Sequence, residues 1–381
     1  MEREELRAWL RLVMTPHIGP LTARKLLAAL GSPQAVFDAD PAALGELLGP
    51  RERKALGKEP EGLSEQLDAT LAWLAASPTL PDGSKSCHVL SLADAHYPAA
   101  LLQAADPPLL LFTLGRVGLL HAPAVAVVGS RNPTPQGHDN AHAFSKALSE
   151  AGITIVSGLA LGVDGAAHEG ALMGPGSTVA VVGTGLDRVY PKAHQALAHR
   201  IAEQGVLISE FLLGTPPLNP NFPKRNRIVA ALSRGTLVVE AALQSGSLIT
   251  ARLAAEMGRE VLAIPGSIHS PQSRGCHALI KQGAKLVETA QDVLEELHWQ
   301  RPGPALPAHA DLVDQTEAGD DGQVVQDPVL AAMGYEPVSQ EALSARTGWG
   351  PADLGAHLLE LELMGQVARL PGQLFQRVVA A

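Results

Sequence analysis

The stretch VAVVGSRNPTPQG, residues 125–137, joins a run of β-branched and small apolar residues to a turn rich in Gly and Pro. Similar runs follow along the chain: TIVSGL at 154–159, TVAVVG at 178–183, GVLISEF at 205–211, TLVVEA at 236–241 and EVLAIPG at 260–266. Segments of roughly 12–18 residues with helical spacing of apolar residues separate most of them. Apolar strands that alternate with helices predict a parallel sheet covered on both faces. We therefore expect residues 88–297 to form a Rossmann-like, doubly wound α/β domain with a mostly parallel sheet, in which HVLSL is an extra edge strand.

The sequences on either side of this domain predict different structures. Residues 1–75 have apolar residues at helical spacing, and PHIGPLTARKLLAALGS within them resembles a helix-hairpin-helix motif, so we expect a helical, SAM-like domain. The turn of such a motif can bind a DNA phosphate, or the helices can form a purely structural bundle. Residues 76–86 are typical of a linker, and the Pro-rich, acidic residues 298–327 predict a flexible one. Residues 328–381 show the order helix, helix, turn, helix, hairpin and predict a winged-helix domain.

Composition and charge indicate a cytoplasmic protein that does not contact membranes. The N-terminus has no apolar signal segment, and no uncharged apolar run reaches the roughly 18 residues of a membrane span. Cys87 and Cys276 show no metal-binding spacing. The formal net charge is -10, but residues 122–297 contain 14 basic and 14 acidic residues, whereas residues 298–381 contain 4 and 11. The acidity therefore belongs mainly to the C-terminal part and permits a basic patch in the α/β domain.

The turn after the first strand suits an anionic oxygen. Gly129 allows close approach of the backbone, Ser130 offers a hydroxyl and Arg131 a forked cation. Because a helix is expected to begin directly afterwards, a phosphate is the simplest ligand. The alternative is an ordinary strand-to-helix turn with an exposed arginine.

The turn after the second strand combines small residues with two titratable ones. Ser157 and Gly158 are expected to face the ligand, and Asp164 and His168 follow at i, i+4 on one helix face. That spacing suits a metal or an acid/base pair. Since no third ligand is evident, we expect a structural hydrogen bond between Asp164 and His168 instead.

The turn after the third strand does not complete a cofactor-binding motif. VVGTGLDRVYPKAH, residues 181–194, has the first glycines of a dinucleotide fingerprint but not the third, and no GK[ST] motif occurs. We therefore expect no cofactor. Lys192 falls in what reads as a surface loop, where it is available to a phosphate.

The stretch NFPKRNR, residues 221–227, places an aromatic and three cations in a Pro-stiffened loop before a helix. We expect Phe222 to stack on a base of single-stranded nucleic acid, Arg225 and Arg227 to hold phosphates with Lys224 beside them, and Asn226 to fix the loop. The alternative is that Phe222 packs inward and the cations form a solvated helix N-terminus, which is electrostatically unfavourable.

The last two strands end in further polar turns. Ser245, Gly246 and Ser247 offer amides and hydroxyls, and Arg274 and Lys281 add cations. Glu240 stands at a strand end without an evident partner, and no Ser–His–Asp order, paired carboxylate or metal cluster stands out. The strand ends therefore predict a phosphate-binding surface without catalytic chemistry.

The presumed recognition helix of the winged-helix domain, PADLGAHLLELELMG, contains Asp353, Glu360 and Glu362 but neither Lys nor Arg. A helix that enters the major groove needs cations for the phosphates. We therefore interpret this domain as a protein-interaction or autoregulatory module rather than a sequence-specific regulator of duplex DNA.

Six motifs in this order resemble the DNA processing protein A family: GSRNPTPQG, SGLALGVDGAAHEGAL, VVGTGLDRVYPKAH, FPKRNRIVAALS, VEAALQSGSLITARLAAEMGR and IPG. The resemblance covers roughly residues 88–297, and both flanking domains fit it. It implies a non-enzymatic protein that binds single-stranded DNA, forms homodimers through the Rossmann-like domain and loads the recombinase RecA during natural transformation, with single-strand binding protein as a further partner. It also implies that Arg131 binds phosphate, that Ser157 and Gly158 form a second pocket turn, and that the DNA track is lined by Lys192, Phe222, Arg225 and Arg227.

The alternative function is an enzyme that processes nucleotides, of the lysine-decarboxylase-like phosphoribohydrolase type. Those proteins carry a PGGxGTxxE pattern, whereas the comparable place here is SRGTLVVEAALQSGS, with Ser233 and Arg234 where Pro-Gly-Gly would stand. That departure counts against the alternative.

Overall fold

The computed structural model describes residues 1–81, 83–268, 270–299, 327–333 and 337–378. Its α-helices are α1 (Arg3–Met14), α2 (Pro20–Leu30), α3 (Pro33–Asp38), α4 (Pro41–Leu47), α5 (Pro50–Leu56), α6 (Leu63–Ala75), α7 (Ala99–Leu102), α8 (Pro135–Glu150), α9 (Val163–Ala171), α10 (Gln195–Gln204), α11 (Asn221–Leu232), α12 (Ser247–Glu256), α13 (Arg274–Lys281), α14 (Ala290–Glu296), α15 (Pro328–Met333), α16 (Gln340–Thr347) and α17 (Pro351–Leu363).

The strands are β1 (Cys87–Ser91), β2 (Leu110–Gly115), β3 (Ala124–Val128), β4 (Thr154–Ser157), β5 (Thr178–Val181), β6 (Val206–Ser209), β7 (Gly235–Val238), β8 (Glu260–Ala263), β9 (Lys285–Leu286), β10 (Val338–Ser339), β11 (Val367–Leu370) and β12 (Leu374–Arg377). Short 3-10 helices cover Val117–His121, Lys192–His194 and Pro271–Ser273. Among the described residues, no helix has the length and apolar character needed to cross a bilayer.

The central sheet has nine strands in the order β1-β2-β6-β5-β4-β3-β7-β8-β9. Strands β3 to β9 pair in parallel, whereas β1 and β2 pair antiparallel at one edge. The predicted doubly wound, mostly parallel sheet is confirmed, and β1 is the expected edge strand. The sequence analysis did not identify β2 and β9.

Helices cover both faces of this sheet because its strands are apolar on both sides. On one face α8, α9 and α14 contribute Phe144, Leu148, Val163 and Val293 to a buried cluster with the sheet. On the other face α11, α12 and α13 contribute a second cluster, which includes Ile228, Val229, Ala251 and Cys276. Helices on both faces leave the ends of the strands as the accessible part of the sheet.

The N-terminal helices pack on the same sheet. Their core residues Leu6 and Leu26 belong to one continuous buried cluster with Phe112 of β2. Arg24 of α2 also donates a hydrogen bond to the carbonyl of Ala105, over 2.9 Å. The N-terminal helical domain is therefore anchored to the antiparallel edge of the sheet.

The C-terminal part forms a winged-helix domain, as the sequence predicted. Strands β10, β12 and β11 make an antiparallel sheet in that order, and Leu343, Leu354, Leu358 and Phe375 form a core of its own. Of the two predicted linkers, residues 300–326 lie outside the described residues. In the other, Thr79 pairs with Lys85 in an isolated β-bridge.

Candidate nucleic-acid interface

A cavity of about 520 Å³ opens at the carboxyl ends of the parallel strands. Three segments supply most of its lining: residues 129–132 after β3, residues 242–247 after β7, and the first turns of α11. Strand β3 lies between β4 and β7, so the order of the sheet reverses here. Ligands of doubly wound folds bind at such a reversal.

The segment after β3 brings a cation to the mouth of the cavity. A Cβ at Gly129 would lie 2.7 Å from Cγ2 of Val163, so only glycine fits this close approach to α9. The hydroxyl of Ser130 accepts a hydrogen bond from the backbone N–H of Asn132, over 3.1 Å. Arg131 is exposed, and its guanidinium carbon lies 5.8 Å from the centre of the Phe222 ring.

The side chain of Glu240 is hydrogen-bonded to the N-terminus of α8 and has a structural role there. Its carboxylate accepts hydrogen bonds from the backbone N–H and the hydroxyl of Thr134, which is the N-cap of α8. Burial raises the pKa of this carboxyl group, and the two hydrogen bonds from Thr134 oppose that rise. A Cβ at Gly137 would overlap the carboxylate, so glycine makes room for it.

The turn after β4 forms a small anion-binding site, which is occupied by the side chain of Asp164. The backbone N–H groups of Gly158 and Ala160 both donate to Oδ2 of Asp164, over 3.1 and 3.2 Å, around Leu159 with its φ of 59°. Turns of this kind commonly hold a phosphate oxygen. Here the amides are occupied by Asp164, and burial raises the pKa of this carboxyl group while Arg225 lowers it.

Ser157 does not reach the cavity, contrary to the sequence prediction. It is fully buried at the end of β4, and its hydroxyl donates to the carbonyl of Val127 on the neighbouring strand β3 over 2.6 Å. Gly158 is absent from the cavity wall as well. Because Gly158 has no side chain, it leaves room for the guanidinium of Arg225, which a Cβ there would overlap.

The predicted hydrogen bond between Asp164 and His168 is wrong. Nε2 of His168 accepts from the N–H of Leu159 over 3.3 Å, and Nδ1 pairs with the hydroxyl of Thr178 over 2.7 Å. Since that hydroxyl donates to a carbonyl, Nδ1 carries the proton and the imidazole is neutral. Burial lowers the pKa of His168 to about 3. Both residues therefore have structural roles, but they bind different backbone N–H groups of the turn and not each other.

The basic stretch 221–227 forms the first turns of α11 and not a loop before it. Arg225 is 4% exposed and lines the cavity, while its Nη1 donates to the carbonyls of Gly158 and Val181. Burial lowers the pKa of Arg225 to about 10, and nearby Asp164 opposes that shift. Its Nε has no hydrogen-bond partner in the described structure. Arg225 is thus a buried cation that holds two strand ends together at the cavity wall.

Arg227 and Lys224 lie outside the cavity, so the structure argues against the predicted phosphate at Arg227. Arg227 is 7% exposed, and its guanidinium forms ion pairs with Glu210 and Asp106, which neutralise it. Nζ of Lys224 lies 3.3 Å from the same Glu210 carboxylate and 5.1 Å from the ring of Phe211. These two cations belong to a network that fixes the start of α11.

Phe222 lies half-buried at the cavity wall, against Gly183, where a Cβ would come within 3.0 Å of the ring. The ring of Tyr190 lies 5.6 Å from that of Phe222, at an interplanar angle of 36°. Lys192, in the 3-10 helix that follows, is exposed. The prediction named Phe222 and Lys192 but did not include Tyr190.

The turn before α12 supplies hydroxyls on the other side of the cavity. The hydroxyls of Ser245 and Ser247 are 2.7 Å apart, and both residues line the cavity with Gly246 between them. Nδ2 of Asn226 lies 3.4 Å from the carbonyl of Gly246 and bridges α11 to this turn. Asn226 therefore joins two walls of the cavity.

The last two predicted cations separate in space. Arg274 begins α13 and is exposed, two residues after Gln272, which lines the cavity and donates to the carbonyl of Asn132 over 3.4 Å. Lys281 ends the same helix, about 10 Å farther along its axis. Asn132 and Gln272 were not identified from the sequence, since isolated amides in turns give no distinctive pattern. Within the described residues, no group of three or more His, Cys, Asp or Glu residues is placed to hold a metal ion.

Comparison with known families fits this architecture. Residues 88–298 match the family model of DNA recombination-mediator protein A, and this match covers more than half of the chain. The chain belongs to that family. Two further models of the same family match at the ends: the DprA-like N-terminal HHH domain at residues 3–49 and the DprA winged helix domain at residues 313–373.

Curated members of the DprA family are similar to this chain over long stretches. Protein Smf of Escherichia coli is 42% identical over 316 residues, which covers 81% of this chain and 80% of that protein. The DNA processing protein DprA of Streptococcus pneumoniae is 50% identical over 209 residues, covering 55% of this chain and 74% of that protein.

Solved DprA structures share the fold. That of the Streptococcus pneumoniae protein superposes with a TM-score of 0.65 at 38% identity and covers 78% of this chain and 98% of its own. A structure of DNA processing protein A from Helicobacter pylori, which concerns its single-stranded DNA binding mode, gives a TM-score of 0.51 at 32% identity, covering 55% and 96%.

Proposed function

We propose that this protein binds single-stranded DNA, without sequence specificity, across the cavity at the carboxyl ends of β3 and β7. The observation that carries the proposal is the exposed guanidinium of Arg131, 5.8 Å from the centre of the Phe222 ring at the cavity wall. A cation beside an aromatic ring matches the phosphate and base of an unpaired nucleotide. The family of the chain and the strand-binding relative from Helicobacter pylori support the same ligand.

The chemistry of the cavity favours the backbone of the strand over its sequence. Arg131, Lys192 and Arg274 are exposed cations near this edge, suited to phosphates. Between them, Gly129, Gly246 and three serines bring backbone amides and hydroxyls to the wall. Sequence readout needs side chains that are free to pair with base edges. Four lining side chains of that kind are instead hydrogen-bonded to the protein's own backbone: Asp164, Arg225, Asn226 and Gln272.

We further propose that the bound strand is handed to the recombinase RecA during natural transformation, with single-strand binding protein as a further partner. The support is the recombination-mediator family itself. A homodimer through the α/β domain is part of this proposal. An apolar groove between α12 and α13, with Leu243 60% exposed, offers a surface on that domain for a second copy. The place of action would be the cytoplasm.

The proposal describes a binding protein and not an enzyme. Asp164 and Glu240, the carboxyl groups near the cavity, accept hydrogen bonds from backbone amides, and His168 is buried and neutral. A general base needs a free acceptor within reach of a substrate. The alternative function as a phosphoribohydrolase is less favoured for the same reason. The Glu240 carboxylate already accepts hydrogen bonds from the backbone N–H and the hydroxyl of Thr134. Release of free base from nucleoside monophosphates by the purified protein would revive it.

The test of strand binding is a salt titration of oligo-dT and of duplex DNA by fluorescence anisotropy. We expect the single strand to bind more tightly and its affinity to fall with salt, since phosphate contacts release counterions. Arg131→Ala should reduce the affinity at least tenfold. It should also reduce the salt slope, which is the steepness with which the logarithm of the affinity falls with the logarithm of the salt concentration, by about 0.7. Arg200→Ala, an exposed arginine on α10 outside the cavity wall, serves as the matched control. Absence of binding at low salt, or equal behaviour of the two variants, contradicts the proposal.

The winged-helix domain is proposed to bind another protein. Helix α17 exposes Leu359 and Leu363, the latter by 82%, and its charged side chains are acidic. Such a surface repels DNA phosphates and suits an apolar partner face. If removal of residues 328–381 abolished duplex binding by the full chain, this interpretation would be wrong.

A further inference from the structure

Tyr190 is an exposed aromatic residue that does not line the cavity itself. Its exposed fraction is 47%, in a chain in which Phe, Trp and Tyr make up only 3% of residues. Tyrosine carries a large apolar ring, so such exposure leaves apolar ring surface open to solvent. A ring held at the edge of a nucleic-acid cavity is suited to contact a base.

The ring of Tyr190 does not stand alone, because Phe222 supports it. The two ring centres are 5.6 Å apart, and Phe222 is held in turn against Gly183. The amide of the adjoining Asn221 donates to the Gly183 carbonyl over 3.0 Å, which fixes the start of α11 at this point. Packing on one side fixes the ring at little further entropic cost when a ligand reaches the other side.

Cations flank this aromatic pair. Arg131 lies 5.8 Å from the Phe222 ring centre, and Lys192 follows Tyr190 by two residues and is exposed. Phosphates held by these cations would bring the bases of the same strand past the two rings. Alternating phosphate and stacking contacts are the usual way to bind an unpaired strand.

We propose that Tyr190 stacks on an unpaired base beside the cavity and so contributes to the preference for single strands over duplex. This inference rests on the proposed strand binding and assigns a specificity role to a residue that the motif analysis did not select. The faces of bases inside a duplex are covered by their neighbours, whereas an unpaired base offers a free face to the ring. Stacking needs no hydrogen bonds, so it adds no sequence preference.

The experiment compares Tyr190→Ala, Tyr190→Phe and wild type, all in the full chain, on oligo-dT and on a strand of equal length with abasic sites. We expect Tyr190→Ala to weaken oligo-dT binding about tenfold and Tyr190→Phe to bind like wild type. Binding of the abasic strand should be nearly equal for all three proteins. The salt slope should stay unchanged, because no charge is removed.

A second measurement follows stacking directly. A strand that contains 2-aminopurine should lose fluorescence when it binds wild type, and lose less when it binds Tyr190→Ala at saturation. Leu218→Ala, which removes another half-exposed apolar side chain, is the control for loss of exposed apolar surface and should match wild type.

The outcomes separate the two proposals. If wild type binds no oligonucleotide, strand binding itself fails. If wild type binds and Tyr190→Ala binds oligo-dT equally well, the stacking role of Tyr190 fails alone. An equal loss on the abasic strand also overturns it, since the effect would then not depend on bases. A thermal melt of Tyr190→Ala that matches wild type rules out unfolding, and if the variant melts early, Tyr190→Leu takes its place in every comparison.

Discussion

Gly158 lies directly against the guanidinium of Arg225, which donates a hydrogen bond to its carbonyl. A Cβ at residue 158 would overlap that guanidinium. Because Arg225 also binds the carbonyl of Val181, it ties the ends of β4 and β5 to α11. The position of the Arg225 guanidinium therefore depends on the absence of a side chain at Gly158.

Replacing Gly158 by alanine should displace Arg225. We expect Gly158→Ala to lower the free energy of unfolding by about 1–3 kcal/mol, as overpacking of a buried site does. Affinity for oligo-dT should fall as well, because the wall of the cavity moves. Urea unfolding and anisotropy measure the two effects.

Gly118→Ala is the matched control for this prediction. A Cβ at Gly118 would meet no atom within 4 Å, and its φ is not positive. Its unfolding free energy should stay within about 0.5 kcal/mol of wild type. Equal stability of the two alanine variants would show that Gly158 and Arg225 are not in tight contact.

Much of the fold could be predicted from the sequence because the strands from β3 to β7 are buried along their whole length and rich in small and β-branched residues. β3 and β7, for example, are buried at every position, and the resulting run of small and β-branched residues is visible without any structure. Strand β2 was not predicted because only the four-residue helix α7 lies between β1 and β2, and because β2 pairs antiparallel near the edge of the sheet. The alternation of strand and helix that revealed the others therefore did not apply to it.

The site was harder to predict, because burial depends on partners far away in the chain. Pro220 and Pro223 suggested a loop, yet both are compatible with the first turn of a helix, where backbone N–H groups have no partner within the helix. The helix then turns Arg225 and Arg227 inward. Their partners Val181 and Asp106 are 44 and 121 residues distant, and local sequence holds no information about them.

His168 should make the protein sensitive to acid. Its pKa in the folded protein is lowered to about 3 from 6.5, so the unfolded chain takes up the proton first as pH falls. The stability that this group contributes is complete above pH 6.5 and is lost as pH falls toward 3. The loss amounts to at most about 1.4 kcal/mol per pH unit.

Urea unfolding of wild type and His168→Gln at pH 7.5, 6 and 5 measures this effect. We expect the variant to be less stable at pH 7.5 and the difference to shrink toward pH 5, since glutamine does not titrate. His199→Gln changes an exposed histidine on α10 and should follow wild type at every pH. Parallel curves for wild type and His168→Gln would contradict a buried, neutral imidazole.

We expect Arg227 to contribute to the stability of the fold and not to phosphate binding. Arg227→Ala leaves Glu210, whose side chain is 5% exposed, without its main partner. Loss of one member of a buried pair costs about 3–5 kcal/mol, whereas the double change Arg227→Met with Glu210→Leu should cost much less. Thermal melts of the single and double variants measure this.

The salt slope of oligo-dT binding distinguishes this role from phosphate binding. The double variant should retain the fold and show the slope of wild type. Lys224→Ala, which removes the more exposed partner of Glu210, should change stability by no more than about 1 kcal/mol. A slope reduced by the double variant as strongly as by Arg131→Ala would restore Arg227 as a phosphate ligand.

Arg274 and Lys281 offer a test of where the strand runs, since one short helix separates them. Arg274 stands at the start of α13, two residues after cavity-lining Gln272, and Lys281 at its end. We expect Arg274→Ala to lower the salt slope by about 0.7, the value for one phosphate of a single strand, and Lys281→Ala to leave it unchanged. Both side chains are exposed, so neither change should disturb folding. If Lys281→Ala had the larger effect, the strand would have to run along α13, away from the carboxyl edge of the sheet, because a contact at that distance cannot be made from the cavity.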